Sequence, residues 1–355
     1  MPCYQWGPSG GVRVVYEYAT TLANRGHEVT VVHPRRLKYV PRQQSNVYQR
    51  ARKGVRWLRE LLSPPPVNWH PLGNAVKLLF VATSDFRNIP DGDAIFATAW
   101  HTVPSVLRCP PTKGKKCYLI QHYEVWQGPK GLVDATWQAP LCKIVIAKWL
   151  KEVGLELGCQ DVTYIPNAIN HEIYRCAQPV EGRPRRVAMM FSREQFKGSA
   201  DGIRALEIAK ERFPDLKAVF FSAGRPDGSI PKWVEFHRNP PQDFIVNEIY
   251  SQSSILLCPS LSEGWGLPAA EAAACGCAVV STDNGGVSEF IQHGITGLLS
   301  PPGNPARMAE NLCKLIKDEQ LRVRLAKAGG TSVSRFSWDK STDLMEDFLM
   351  GVTGG

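Results

Sequence analysis

This 355-residue chain has no long hydrophobic run. Its most apolar stretches, such as Lys143-Ile-Val-Ile-Ala-Lys148 and Ala218-Val-Phe-Phe-Ser222, are bounded by charge or turn residues well short of the ~20 residues that cross a bilayer. No transmembrane helix is expected. The opening Met1-Pro-Cys-Tyr-Gln-Trp-Gly has neither a basic n-region nor a long apolar h-region, so it does not read as a secretion signal. The two absences together give a cytoplasmic expectation. Cysteines with metal-ligand spacing are lacking as well. Ten are scattered along the chain, and the close pair, Cys275 and Cys277, flanks one glycine in an expected helix-to-strand turn. Buried thiols in a reducing compartment are the plain reading. Acidic residues are missing from the window 35–59, which holds Arg35, Arg36, Lys38, Arg42, Arg50, Arg52, Lys53, Arg56 and Arg59 and so carries as much charge as the whole chain's net +9.

What is present is enough for two ordinary domains, since 43% of the residues are hydrophobic. Strand-like runs alternate with helical patterns, the signal for parallel sheets covered by crossover helices, so the fold class is α/β. Strand candidates in the first half are 28–32, 77–82, 94–99, 117–121, 143–147 and 162–165. Those in the second half are 186–191, 217–222, 254–259, 278–282 and 297–299. A polar, proline-containing stretch at 176–185 reads as a linker. This gives a Rossmann-like domain over 1–176, a second over 177–337, and a terminal helix over 338–355 that could pack back on the first. A buried strand should precede the first glycine turn, yet six residues, one of them proline, precede Gly7. The first strand of the sheet is therefore expected to be missing or unusual.

The most specific stretch runs from Pro259-Ser-Leu-Ser-Glu-Gly-Trp-Gly-Leu-Pro through Gly285-Gly286 to Glu289. A buried strand ends in a serine- and glycine-containing loop, and a helix then starts near Leu267 with its amides directed back at the loop. Such an end attracts phosphate through the unpaired N–H groups and the helix dipole. Glu263 lies in the loop and Glu271 about one turn into the helix. For an isolated pair, a cap and a solvated surface residue would be the plain reading.

The stretch resembles the retaining glycosyltransferases of family 4, the glycogen-synthase-like group with two Rossmann domains of the GT-B class and a cleft between them. Glu263 and Glu271, with seven residues between them, match the family's glutamate pair, and the match continues to Gly294-Ile-Thr-Gly-Leu-Leu299. The resemblance implies that Glu271 holds the donor ribose and that Glu263 contacts the transferred sugar or its phosphate. Gly264, Trp265, Gly266 and Leu267 would line the donor, with Trp265 where the family more often has phenylalanine. It makes the second domain the nucleotide-sugar binder and the first the acceptor side.

A second donor element, Phe191-Ser-Arg-Glu-Gln-Phe-Lys-Gly198, follows a strand and resembles the family's Gly-Arg-Leu to Lys-Gly segment, with Ser192 in place of glycine. Arg193 and Lys197 can supply positive charge where a leaving diphosphate gathers negative charge. In the first half, Gly7-Pro-Ser-Gly-Gly-Val12 before an amphipathic helix is similar to the family's opening, which assigns Gly10 and Gly11 to a loop facing the donor diphosphate, with Arg13 assisting. His101 and His122 follow apolar strands at the carboxyl edge of the expected sheet, where open α/β sheets bind ligands. A packed histidine is the competing reading for each. The resemblance favours His122 as the histidine near the transferred sugar, with His101 and Glu124 as acceptor-side candidates. Lys143-Ile-Val-Ile-Ala-Lys148 and Tyr164-Ile-Pro-Asn-Ala-Ile-Asn170 resemble the family's Ser-Lys and Pro-Asn-Gly-Val-Asp segments, with Ala147, Ala168 and Asn170 departing from them.

The resemblance implies a nucleotide diphosphate sugar as donor, a glycan or lipid-linked acceptor, retention of configuration, and a place in surface polysaccharide or glycolipid synthesis. It implies no cofactor and no metal, since Arg193, Lys197 and a helix end can stabilise the leaving group. Asp91-Gly-Asp93 reads as a polar turn. Val47, Ala51, Val55, Leu58 and Leu62 recur at helical steps, with Arg52, Lys53, Arg56 and Arg59 around them. This basic amphipathic pattern fits either a packed helix or a surface for an anionic membrane or polyanion, the former being structural and the latter peripheral at the inner membrane face. No nucleic-acid module accompanies the charge. Two other readings stand beside the transferase. One is an epimerase or phosphorylase on the same fold, against which stands the absence of a lysine-bound cofactor motif. The other is a catalytically degenerate nucleotide-sugar-binding subunit, against which stands the joint presence of Glu263, Glu271, Arg193 and Lys197.

Overall fold

The computed structural model describes residues 1–2, 8–39, 67 and 69–354. It divides into two compact units, Met1–Pro166 with Trp338–Gly355, and Asn167–Ser337.

Unit 1 begins with helix α1 (Gly10–Asn24), which buries Val14, Tyr16, Tyr18, Ala19 and Ala23 and ends where Gly26 takes a left-handed turn at φ 98°. Strands β1 (Thr30–Arg36) and β2 (Lys77–Thr83) pair in parallel, and β3 (Ala94–Ala97), β4 (Lys115–Ile120), β5 (Cys142–Val145) and β6 (Val162–Tyr164) form a separate parallel sheet in that order. Pro34 sits within β1 opposite Val81 and has no N–H to donate to the ladder. A first strand ahead of α1 would fall on residues 3–7, outside the described residues. Met1 packs with Tyr16, Ala19 and Val31, and its sulfur accepts from Thr98 Oγ1 at 3.6 Å.

Unit 2 carries one six-stranded parallel sheet in the order β9-β8-β7-β10-β11-β12. Its strands are β7 (Arg186–Met190), β8 (Lys217–Ser222), β9 (Val234–Arg238), β10 (Ile255–Cys258), β11 (Ala278–Thr282) and β12 (Leu298–Ser300). This is the doubly wound order, and the chain reverses direction of winding between β7 and β10. Val187, Met189, Phe220, Leu257 and Val280 pack against Ile203 and Leu206 of the helix Ser199–Arg212 and Leu312 and Leu315 of Pro305–Lys317. A further helix, Leu267–Ala274, is almost all small residues, and Ala269, Ala270, Ala272, Ala273 and Ala274 are all buried, so it sits inside the unit.

Two features differ from the sequence expectation. Strand β9 was not foreseen, although Val234 and Phe236 alternate inward with Glu235 and His237 in the pattern of a half-covered strand. The division expected after Cys176 falls at Pro166 instead. The physical reason is Arg183. Its buried guanidinium donates to the carbonyls of Ser253, Gln178 and Cys275 at 3.1, 3.1 and 3.0 Å, which fastens the expected linker onto unit 2. The last helix, Trp338–Thr353, belongs to unit 1: Arg25 pairs with Asp343 at 2.7 Å and with Glu346, Thr342 Oγ1 donates to Thr21 Oγ1 at 2.8 Å, and Trp338 meets Tyr18 edge-on. No helix among the described residues is long and apolar enough to cross a membrane.

Candidate functional site

In unit 2 the loops after β7 and β10 flank the topological switch point, where open α/β sheets bind their ligands. The chain leaves β7 through Phe191 and Ser192, whose N–H donates to Ser199 Oγ at 2.9 Å, and closes a short turn over Gln195–Lys197. Gly198 follows at φ 60°, and a Cβ there would lie 2.1 Å from the carbonyl oxygen of Pro259, so the two loops approach as closely as they do because this residue has no side chain. The N–H of Leu261 donates to the carbonyl of Phe196 at 2.7 Å and joins them.

Glu263 sits where these loops meet. Lys197 Nζ donates to its Oε1 at 2.8 Å and to its Oε2 at 2.9 Å, and Ser260 Oγ donates to Oε1 at 2.7 Å. The carboxylate is buried, with 8% of its side chain exposed against 20% for Lys197. A charge so enclosed is tolerable because it is paired and hydrogen-bonded. Its backbone N–H donates to the carbonyl of Asn284 at 3.0 Å, and Asn284 Oδ1 accepts from Val287 N at 3.2 Å. At Gly286 a Cβ would come within 2.7 Å of Glu263 O and Trp265 N, which accounts for glycine in that pair.

Trp265 is 2% exposed and packs between Phe290 and Phe336. Behind it, Gly266 caps the helix Leu267–Ala274. Glu271 is not a solvated surface residue: it is 4% exposed, and Tyr250 OH donates to its Oε2 at 3.4 Å. Tyr250 ends a π-helical turn, Ile245–Tyr250, a local irregularity frequent at functional positions. Arg193 does not join Lys197. Its guanidinium is exposed, donates to the carbonyl of Pro226 at 3.0 Å and lies 3.7 Å from Asp227 Oδ2. The structure thus gathers Lys197, Glu263, Gly264, Trp265, Gly266, Leu267 and Glu271 along one connected run and leaves Arg193 to one side.

In unit 1, Gly10 opens α1, and Gly11 O accepts from Gln121 Nε2 at 3.0 Å, tying this helix start to the end of β4. His122 follows at that end and is met edge-on by Trp126 at 4.2 Å and Trp149 at 5.4 Å. Glu124 Oε2 accepts from Trp100 N at 2.9 Å, and burial pushes its carboxyl up to about 7 against that bond. His101 lies against Trp100, and burial draws its imidazole down to about 4, so it is neutral near pH 7. Asp91 pairs with Lys113 at 2.8 Å, and Gly92 N donates to Thr112 O, so Asp91-Gly-Asp93 is an irregular segment before β3 tied to the Pro111–Lys113 turn. Arg52, Lys53, Arg56 and Arg59 lie outside the described residues. Sequence reasoning did not single out Ser260, Asn284, Tyr250, Gln121, Trp126 or Trp149. Asn284, Tyr250, Gln121 and Trp149 act on candidate residues from a different loop, strand or helix, a pairing that spacing along the chain does not carry, whereas Ser260 and Trp126 stand three and four residues from Glu263 and His122 in the same loops.

Comparison with known proteins bears on these residues. A family model described as Glycosyl transferases group 1 matches residues 229–331, which hold Glu263 and Glu271. A D-inositol 3-phosphate glycosyltransferase of Corynebacterium jeikeium is 34% identical over 168 residues, 43% of this chain and 40% of that protein. An uncharacterized glycosyltransferase of Methanocaldococcus jannaschii is 40% identical over 95 residues, 27% of each chain. Against the D-inositol 3-phosphate glycosyltransferases, the chain spans about two fifths of their length. Among solved structures, HepE of Anabaena in complex with UDP-glucose has a TM-score of 0.74 at 15% identity, covering 99% of this chain and 98% of that one. Sucrose-phosphate synthase of Thermosynechococcus elongatus has a TM-score of 0.68 at 16% identity, covering 98% and 94%. These likenesses establish the fold as α/β of the GT-B class, with two Rossmann-like domains.

Proposed function

We propose that the chain is a retaining glycosyltransferase that takes a nucleotide diphosphate sugar as donor and passes its sugar to a glycan or lipid-linked acceptor in surface polysaccharide or glycolipid synthesis. The observation that carries this reading is the Lys197–Glu263 pair at the switch point of unit 2, beside the start of the Leu267–Ala274 helix and the buried Glu271. The group 1 family match over residues 229–331 supports it. A carboxylate one turn inside a helix accepts ribose hydroxyls well, and an ammonium next to a helix N-terminus stabilises a departing diphosphate. Metal is not needed in this scheme, because that positive charge does the work. Glu263, already held by Lys197 and Ser260, meets sugar hydroxyls rather than forming a covalent intermediate. The bond from the anomeric carbon to the diphosphate breaks and the nucleoside diphosphate leaves on the face where the acceptor oxygen bonds to that carbon, with a phosphate oxygen of the leaving diphosphate taking the acceptor's proton. Unit 1 serves the acceptor, with His122 next to the transferred sugar and Glu124 and His101 on the acceptor side.

The experiment is calorimetric binding of UDP, GDP, ADP and dTDP, with and without magnesium, to the chain and to Glu271→Ala. One nucleotide binding without magnesium, and losing that binding in Glu271→Ala, is the expected result. Failure of all four to bind the chain would overturn the donor site, and an inverted anomer in the product of a purified reaction would overturn retention.

A further inference from the structure

A cavity of about 390 Å³ opens at the carboxyl ends of β1 and β2 in unit 1, lined by Arg36, Lys38, Thr83, Asp85, Arg87 and Asn88. Three cations and one carboxylate line it. Asp85 is buried and accepts from the Lys38 ammonium, from Arg87 Nε at 3.0 Å and from the terminal nitrogen Nη2 of Arg87 at 3.1 Å. The Arg87 guanidinium and the Lys38 ammonium hold that carboxyl far below the usual range, so it stays ionised and the cavity keeps an excess of two positive charges at neutral pH.

Hydrogen bonds hold the backbone under the cavity. Arg36, the last residue of β1, stands in register with Thr83, the last of β2, and its carbonyl accepts from Ser84 N at 3.0 Å. Ser84 Oγ accepts from Lys38 N at 3.0 Å and from Ser105 Oγ at 2.8 Å, and Asn88 Nδ2 donates to Thr83 O at 3.1 Å. Asp85 occupies one side of the Arg87 fork and leaves its other terminal nitrogen free to donate, with the side chain 73% exposed. The Arg36 guanidinium has no hydrogen-bond or ion-pair partner among the described residues. Guanidinium and ammonium donors around a concave space suit a tetrahedral oxyanion, and a dianion matches the excess charge.

We propose that this cavity is a phosphate-binding subsite, and that the acceptor of the transfer carries a phosphate group. The word acceptor rests on the function proposed above, in which the donor's diphosphate belongs to unit 2; the anion site itself does not depend on that reading. A soluble sugar or polyol phosphate and a phospholipid headgroup present the same chemistry here.

The test uses the full chain in one calorimetric series: UDP first, to read the donor site, then inorganic phosphate in the presence of saturating UDP. Arg36→Ala and Arg87→Ala are measured alongside, and the first keeps the test open if the second misfolds, because Asp85 does not need Arg36. Wild-type chain is expected to bind phosphate, and Arg36→Ala to weaken it about tenfold, the loss of one charge-assisted contact, with UDP affinity unchanged. No phosphate binding, or binding indifferent to Arg36→Ala, overturns the subsite. Absence of UDP binding with Arg36-dependent phosphate binding would instead remove the donor reading and leave the subsite standing. Sedimentation with phosphatidylcholine vesicles, with and without phosphatidylglycerol, identifies the source: Arg36-dependent capture by the anionic vesicles assigns a headgroup, and phosphate binding without such capture assigns a soluble phosphate.

Discussion

Lys197 and Glu263 lie 66 residues apart in sequence, yet the ammonium donates to both carboxylate oxygens, at 2.8 and 2.9 Å. The contact joins the loop after β7 to the loop after β10 at the point where the winding of the unit 2 sheet reverses. One interaction therefore bears on both the stability of those loops and the charge presented to a ligand.

Breaking the pair from one side leaves a buried carboxylate that accepts from the Ser260 hydroxyl without a neighbouring ammonium. Lys197→Met is expected to lower the stability of the chain by about 1–3 kcal/mol, read by urea unfolding. Adding Glu263→Gln removes the uncompensated charge, so the double variant should lose less than the two single losses combined. Additive losses would show that the two side chains are not coupled.

Gly198 tests the close approach of the loops. Gly198→Ala combines a left-handed backbone at φ 60° with a Cβ placed 2.1 Å from Pro259 O, whereas Gly294→Ala meets φ 77° with nothing within 4 Å. Backbone strain alone costs about 1 kcal/mol, so Gly294→Ala is expected near that figure and Gly198→Ala at about 2 kcal/mol or more. Equal melting temperatures for the two variants would contradict the contact.

Glu124 makes a pH prediction in unit 1. Its carboxyl is raised from 4.5 to about 7 in the folded chain, so the folded state binds more proton than the unfolded one between those values. Stability from this group is therefore present below about pH 4.5 and lost as pH rises through about 7. Glu124→Gln keeps an acceptor for Trp100 N and has no charge to bury. It is expected to be more stable than the parent by about 1–3 kcal/mol at pH 8, and equal to it at pH 4.5. Thermal melts at the two pH values give the answer, and a difference that did not change with pH would refute the assignment.

The alternation of buried runs and helical patterns fixed the α/β class and most strands before any coordinates, because a parallel strand covered on both faces must be apolar along its length. Strands β8 and β11 were legible to the residue. The glycine and glutamate spacing around Glu263 and Glu271 was legible too, since a helix start and a tight loop demand particular residue types locally. The shallow strand β9 escaped because its outward positions are charged. The end of unit 1 escaped because a polar, proline-containing segment looks like a linker unless the partners of Arg183 are known.

Tertiary structure alone decided which charges meet. Lys197 turned to Glu263, Arg193 turned to Pro226 and Asp227, and Tyr250 reached Glu271. It also brought Arg36, Asp85 and Arg87 around one cavity. The sequence determined the elements and the residue types at their ends, because those are set by local backbone sterics and the periodicity of burial. Side-chain partners come from loops that follow different strands, and parallel crossovers place those loops side by side only once the sheet has formed.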